Sequence, residues 1–157
     1  MAINNHERVG KAMELVKAGV GPFVEREFKS MYQDNAHTQA LTLLGEDRLN
    51  AKKQISEWDV AALLKVMWDS WNQVFRKTLG KAERSLVQEL RDHRNKWAHQ
   101  EVFSGDNADR ALDSAERLLT AISAPQADEV RKIKIELRRL VLDEQVPVLE
   151  QVGDLGL

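Results

Sequence analysis

One short segment of the chain, RDHRNKWAHQE from Arg91 to Glu101, concentrates side chains that can hold a phosphate and move a proton. The guanidinium of Arg94 can make a forked, permanently charged contact with a phosphate. Histidine is the side chain best suited to proton transfer near neutral pH, so His99 is a candidate to accept or donate a proton. Because RNA carries its own nucleophile in the 2′-hydroxyl, an arginine and a histidine are chemically sufficient to cleave it without a metal.

The spacing of these residues sets a condition on the helix that carries them. Each residue of a regular helix turns by about 100°, so Asn95 and His99 lie on one stripe and Asn95 can orient the His99 ring through a hydrogen bond. Arg94 lies about 140° away from His99. The two share a target only if the helix ends or distorts near Ala98, or if a second copy of the chain brings its own segment alongside. Two facing His99 side chains in a homodimer would supply both proton-transfer groups.

A plainer interpretation of the same residues is structural. Arg94 would make a surface ion pair, and His99 would cap the C-terminus of a helix, since an arginine five places before a histidine also arises by chance. Close to these two, Arg91, His93 and Lys96 are the candidates for further phosphate contacts.

The composition is that of a helical domain. The chain has 157 residues, with 8 Gly, 3 Pro and no Cys, which excludes disulfides, thiolate metal sites and a cysteine nucleophile. We expect one domain over residues 1–157, with its core at about 5–145 and a tail or linker at 146–157. The net charge of −2 excludes a wholly basic nucleic-acid binder but not a local basic site. No signal peptide or membrane span is evident, so a cytoplasmic protein without a membrane partner is expected.

Apolar residues at helical spacing predict an all-α, up-and-down bundle of four to five main helices. Trp97 should anchor its helix in the core. Gly19–Pro22 should break the first helix, Ser56 should cap a helix in a box with Asp59, and Gly80 and Pro147 should end helices. The predicted helices cover about 5–18, 23–34, 56–79, 81 through the quoted segment, 107–123 and 126–145, with a short one around 38–44 and a loop and cap at 104–106.

Two other groups of residues need an interpretation. His6 and His37 are isolated, and no cluster has the spacing of metal ligands, so neither a metal nor a cofactor is predicted. The last helix carries a basic cluster that a solvated face explains, with a secondary RNA-backbone surface as the alternative. That cluster consists of Arg131, Lys132, Lys134, Arg138 and Arg139.

The segment RNKWAH, from Arg94 to His99, resembles the R-[polar]-x-x-x-H signature of HEPN domains. Together with the runs WDVAALLKVMWDSWNQVF and GKAERSLVQELRDHRNKWAHQEVFSGDNADRALDSAERLL, it looks like the HEPN subfamily named after a eukaryotic endoribonuclease of messenger-RNA quality control. The resemblance extends from about Val9 to Leu140.

The resemblance implies a bundle of four or five helices that dimerises so that two signatures line one cleft. It implies a metal-independent endoribonuclease that leaves cyclic-phosphate ends, of the kind found in toxin–antitoxin and antiphage systems. Arg94 would hold the scissile phosphate, His99 would transfer protons or contact the phosphate, and Asn95 would orient His99. The expected partners are RNA and a second copy of the chain.

The alternative is a non-catalytic module that binds RNA or a partner and dimerises within a larger ATPase- or helicase-like protein. The chain contains no GxxxxGK[ST] phosphate loop, so such a module, or an antitoxin, would have to be supplied from elsewhere.

Overall fold

The computed structural model describes the backbone of residues 3–155 and the side chains of residues 3–144. The described backbone forms helices joined by turns and contains no strand, which confirms the all-α class and the bundle of five main helices. None of the helices in that part of the chain is long and apolar enough to cross a membrane. The α-helices are α1 (Asn5–Tyr32), α2 (Ala36–Thr42), α3 (Arg48–Ala51), α4 (Val60–Asp69), α5 (Lys81–Ala98), α6 (Gly105–Ala121) and α7 (Gln126–Leu155).

Helix α1 runs unbroken through the GVGP segment that ends at Pro22, so the predicted break is wrong. A proline inside a helix removes one hydrogen bond and costs about 3 kcal/mol. Packing opposes that cost, because α1 buries Val16, Val20, Val24 and Phe28 in the core.

The two glycines of that segment serve close packing instead of a turn. A Cβ atom on Gly21 would lie 2.5 Å from the carbonyl oxygen of Ser56, and one on Gly19 would collide with Leu119 of α6. Only the missing side chains let these neighbours approach the helix.

The start of α4 also differs from the prediction. Asp59 is itself the N-cap, and its carboxylate accepts from the Ala62 N–H at 2.9 Å. Ser56 lies in the preceding 3₁₀ turn, Ile55–Glu57, where its N–H donates to Glu25 of α1 at 2.8 Å. The predicted box with Ser56 as cap is therefore wrong by one turn.

Helix α4 ends at Asp69 and not near residue 79. The hydroxyl of Ser70 donates to the Val66 carbonyl, which also accepts the Ser70 backbone N–H at 3.0 Å. A serine bonded back to its own helix competes with the regular ladder. A π turn, Trp71–Phe75, follows and buries both of its terminal aromatic side chains.

Helices α5, α6 and α7 follow one another in antiparallel order. Glu89 of α5 accepts hydrogen bonds from two nitrogens of Arg110 in α6, Nε at 2.9 Å and Nη2 at 2.6 Å. Ser104 caps α6 by accepting from the Asn107 N–H at 3.1 Å, which confirms the predicted cap. The helix begins at Gly105, so the predicted loop over 104–106 is two residues too long. The backbone of α7 continues past Pro147 to Leu155, so the proline does not end the helix as predicted.

Most side chains of the basic cluster on the last helix form ion pairs with carboxylates of α6. Lys134 is buried and lies 3.2 Å from Asp113 and 2.7 Å from Glu116. Arg138 contacts Asp109 at 2.8 Å, and Arg131 contacts Glu116 at 3.3 Å. Burial alone would raise the pKa values of Asp113 and Glu116, but hydrogen bonds from the basic side chains outweigh it and lower both. The cluster therefore joins α7 to α6.

The close approach at Gly21 gives a test of the fold. Gly21→Ala should lower the free energy of unfolding by about 1 to 3 kcal/mol, because the new methyl group meets a backbone carbonyl that cannot move aside. Gly105→Ala is the matched control, since a Cβ at this first residue of α6 meets nothing within 4 Å. Urea denaturation of both variants measures the difference. Equal stabilities would contradict the proposed role of Gly21.

Candidate active site at the end of helix α5

Helix α5 ends at Ala98, and His99 occupies its C-cap position with φ −87° and ψ 11°. The N–H of His99 still donates to the Asn95 carbonyl at 3.0 Å, so His99 is the last residue that follows the helical rotation. Arg94 and His99 of one copy therefore keep their separation of about 140° around the axis, and a common target depends on a second copy of the chain.

A Schellman turn terminates the helix. Gln100 adopts the left-handed conformation, with φ 59°, and its N–H donates to the Trp97 carbonyl at 3.1 Å. The N–H of Glu101 donates to the Lys96 carbonyl, also at 3.1 Å. These two bonds satisfy carbonyl groups that the end of a helix leaves without partners.

The Arg94 side chain is half-buried and the His99 side chain is exposed. On the helix, Arg94 lies about 40° from Leu90 and about 60° from Trp97, so it leaves α5 from the side that packs into the bundle. Within the described residues, neither Arg94 nor His99 has a side-chain hydrogen bond or an ion pair. His99 thus lies at a helix C-terminus, as the plainer interpretation has it, but the surface ion pair of Arg94 is not found there.

The other candidate residues surround this pair on α5. Asn95 is exposed, and its bond to His99 is a backbone one, from the His99 N–H to the Asn95 carbonyl at 3.0 Å. Arg91 is half-buried, and the ammonium of Lys96 lies 5.2 Å from the centre of the Phe103 ring. The orienting role of Asn95 and the phosphate contacts of Arg91 and Lys96 stay predictions.

His93 is half-buried and follows, by one helical turn, Glu89, which contacts Arg110 of α6. Burial lowers its pKa, the negative charge of Glu89 acts in the opposite direction, and the positive charge of Arg110 lowers the pKa further. A neutral ring near pH 7 offers a phosphate a hydrogen bond but no charge. Its contact with a substrate also stays a prediction.

The sequence did not reveal a contact between the first turn of α1 and the end of α5. Nε2 of His6 lies 3.1 Å from the carbonyl oxygen of Trp97, and Trp97 Nε1 donates to the His6 carbonyl at 3.1 Å. The two rings are stacked with centroids 5.3 Å apart and 17° between their planes. Asn5 donates to the Phe103 carbonyl at 3.1 Å. The residues lie more than 90 positions apart, so no local pattern could have indicated this contact.

A cleft of about 490 Å³ lies where the first turn of α1 meets the residues that follow His99. Its walls contain one carboxylate and no Lys or Arg, so the cleft itself does not attract phosphate. It is lined by Asn4, Asn5, His6, Gln100, Glu101, Val102 and Phe103.

No group of three or more His, Asp or Glu side chains in the described part of the chain has the arrangement of a metal site. The separate positions of His6, His37, His93 and His99 agree with this result. His37, for example, contacts the Lys53 carbonyl at 2.9 Å through Nε2 and packs edge-on against Trp58.

The described chain is thus an all-α bundle in which α5 ends at the R-N-x-x-x-H segment. The family model described as Swt1-like HEPN matches residues 11–123, and the chain belongs to that family. The match extends from within α1 through α6 and includes Arg94 and His99. Asn5, His6 and helix α7 lie outside it. Neither a curated protein nor a solved structure matches the chain.

The environment of His93 predicts a pH dependence of stability. Because its pKa lies below the ordinary 6.5 in the folded state, the unfolded chain binds the proton more readily. This contribution to stability is present above pH 6.5 and is lost as the pH falls through the lower folded pKa. NMR titration of the His93 ring and urea denaturation between pH 7.5 and 5 measure both effects. His93→Gln should remove this loss of stability, and an unchanged loss would assign it to another group.

Proposed function

We propose that this chain is a metal-independent endoribonuclease domain in which Arg94 and His99 act at the cleft of a homodimer. The observation that carries the proposal is the position of Arg94 and His99 at the end of α5 and their lack of bonding partners among the described residues. The helix ends directly before His99. Among the described residues, no side chain forms a hydrogen bond or an ion pair with the Arg94 guanidinium or the His99 imidazole. Membership of the HEPN family supports an RNase-type or RNA-binding module.

The chemistry follows from the two side chains and the RNA itself. One His99 accepts the proton of the 2′-hydroxyl while the 2′-oxygen forms its bond to phosphorus. The P–O5′ bond breaks, and the protonated His99 of the second copy donates its proton to the 5′-oxygen. The Arg94 guanidinium stabilises the charge that builds up on the phosphorane. The products are a 2′,3′-cyclic phosphate and a free 5′-hydroxyl.

The biological context belongs to the same proposal. HEPN ribonucleases that this sequence resembles act in toxin–antitoxin and antiphage systems and in messenger-RNA quality control, and we place the domain in such a system. An ATPase- or helicase-like module or an antitoxin would then control when the motif meets RNA. The competing function, RNA or partner binding without cleavage, is an outcome of the first experiment below.

Cleavage in the presence of chelator tests the proposed chemistry. RNA incubated with the protein and excess EDTA should be cut and carry cyclic-phosphate ends. Arg94→Ala should slow cleavage by about 10²- to 10³-fold, the effect of removing one group that stabilises the developing charge. His99→Ala should slow it by about 10²- to 10⁴-fold through the loss of proton transfer.

The control for this experiment is Lys29→Ala, which removes the ion pair with Glu25 near the C-terminal end of α1. Position 29 lies about 34 Å along α1 from His6, the residue that contacts the end of α5. This variant should cut RNA at the rate of the unaltered protein, and circular dichroism should show the same helical content in all variants. RNA that is bound but left intact would support the non-catalytic module instead.

Mixing experiments test the dimer cleft. The Arg94→Ala/His99→Ala double variant is mixed in equal amounts with unaltered protein and allowed to exchange subunits. If both copies supply groups to one cleft, random pairing leaves about a quarter of the dimers intact, and activity falls to about 25 per cent. If each copy acts alone, about half of the activity remains. Sedimentation must show a dimer in both samples, and a monomer with full activity would rule out the shared cleft.

A further inference from the structure

We propose that the first turn of α1 is the positioning element for His99, with His6 acting on the chain before it and Asn5 on the chain after it. The proposal rests on the function assigned above to His99, and it adds two residues outside the region that the family model matches. His6 and Asn5 do not touch the reacting atoms in this scheme. They act through the backbone that holds the imidazole.

The end of α5 needs an external support. Gln100 has a left-handed backbone, which is unfavourable for a residue other than glycine. The turn persists only if surrounding contacts outweigh that cost. His99 directly precedes Gln100 and is exposed, so its own side chain provides no such contact within the described residues. The geometry of the motif therefore depends on the residues that hold Trp97 and Phe103.

His6 holds the carbonyl on which the turn depends. The Trp97 oxygen accepts the Gln100 N–H of the Schellman turn and also faces His6 Nε2, each at 3.1 Å. A carbonyl oxygen has two lone pairs and only accepts, so both bonds can coexist and His6 must carry its proton on Nε2. The reciprocal bond from Trp97 Nε1 to the His6 carbonyl fixes the indole at the same time.

Asn5 holds the opposite side of the turn. Its Oδ1 accepts from Nη1 of Arg8 at 2.7 Å, and its Nδ2 donates to the Phe103 carbonyl at 3.1 Å. Arg8 is only 6% exposed, so the carboxamide is oriented by a buried guanidinium. The chain is thus held two residues before His99 and four residues after it by adjacent positions of one helix.

The contact surface of α1 is adapted to this arrangement. A Cβ atom on Gly10, one turn after His6, would lie 3.0 Å from Trp97 Nε1 and 3.3 Å from two carbons of the indole. A side chain there would force the indole to shift by a few tenths of an ångström. The His6 and Trp97 rings stack beside this contact.

Two substitutions of His6 separate the hydrogen bond from the ring. His6→Gln keeps an N–H donor near the position of Nε2 but removes the stacked ring, whereas His6→Phe keeps a ring that can stack but removes the donor. We expect His6→Phe to lower kcat for RNA by about 10- to 100-fold, because a displacement of the order of 1 Å is enough for such a loss. KM should stay within about twofold, since Arg94 is unchanged. His6→Gln should retain kcat within about threefold.

A control variant separates a loss of protein stability from a displacement of His99. Gly21→Ala, about 22 Å along α1 from His6, should lose thermal stability without losing kcat. The proposal is overturned if His6→Phe retains the kcat of the unaltered protein, if His6→Gln loses as much kcat as His6→Phe, or if Gly21→Ala loses it equally.

An NMR measurement tests the positioning independently of activity. In His6→Phe, the ring signals of His99 should shift and the amide hydrogens of Gln100 and Glu101 should exchange faster, while both stay close to the original values in His6→Gln. If the unaltered protein does not cleave RNA, the proposed function fails, and these signals alone decide the inference. Unchanged His99 and Gln100 signals in His6→Phe would overturn it.

Discussion

The termination of α5 directly after Ala98 is the constraint on which the candidate site depends. His99 lies about 140° from Arg94 around the helix axis, because its N–H still donates to the Asn95 carbonyl as in a regular helix. The Schellman turn stops the helical rotation immediately after His99 and leaves the exposed imidazole at the C-terminus of α5. The same turn costs energy at Gln100, so the site exists only because other parts of the bundle hold it.

The ion pairs of the bundle also act on the candidate site, because they decide which basic side chains remain available to a phosphate. The net charge is −2, yet the carboxylates of α6 are engaged by Arg131, Lys134 and Arg138 of α7. These three cations are thereby paired within the protein instead of being free to contact RNA. Arg91 and Arg94 on α5 have no such carboxylate among the described residues. A slightly acidic chain can in this way present a basic site, because phosphate contacts depend on the local arrangement of charges.

Several errors in the predicted helix bounds have one physical origin. Glycine and proline in the GVGP segment favour a turn when only local preferences are considered. In the bundle, Gly21 lies against the Ser56 carbonyl, and α1 buries apolar side chains on both sides of Pro22. Ser70 gives the opposite error, since its hydroxyl interrupts a run of apolar residues that otherwise has helical periodicity. Local preference is a weak guide where tertiary packing or a single side-chain bond decides.

The sequence by itself determined the all-α class, the main helices and the identity of the motif. Apolar periodicity and the types and spacing of Arg94, Asn95 and His99 are local properties that can be read along the chain. Only the tertiary structure decided that α5 ends before His99, that carboxylates of α6 occupy the basic residues of α7, and that His6 and Asn5 hold the turn. These features depend on contacts between residues far apart in the chain, and such contacts form only when the helices pack.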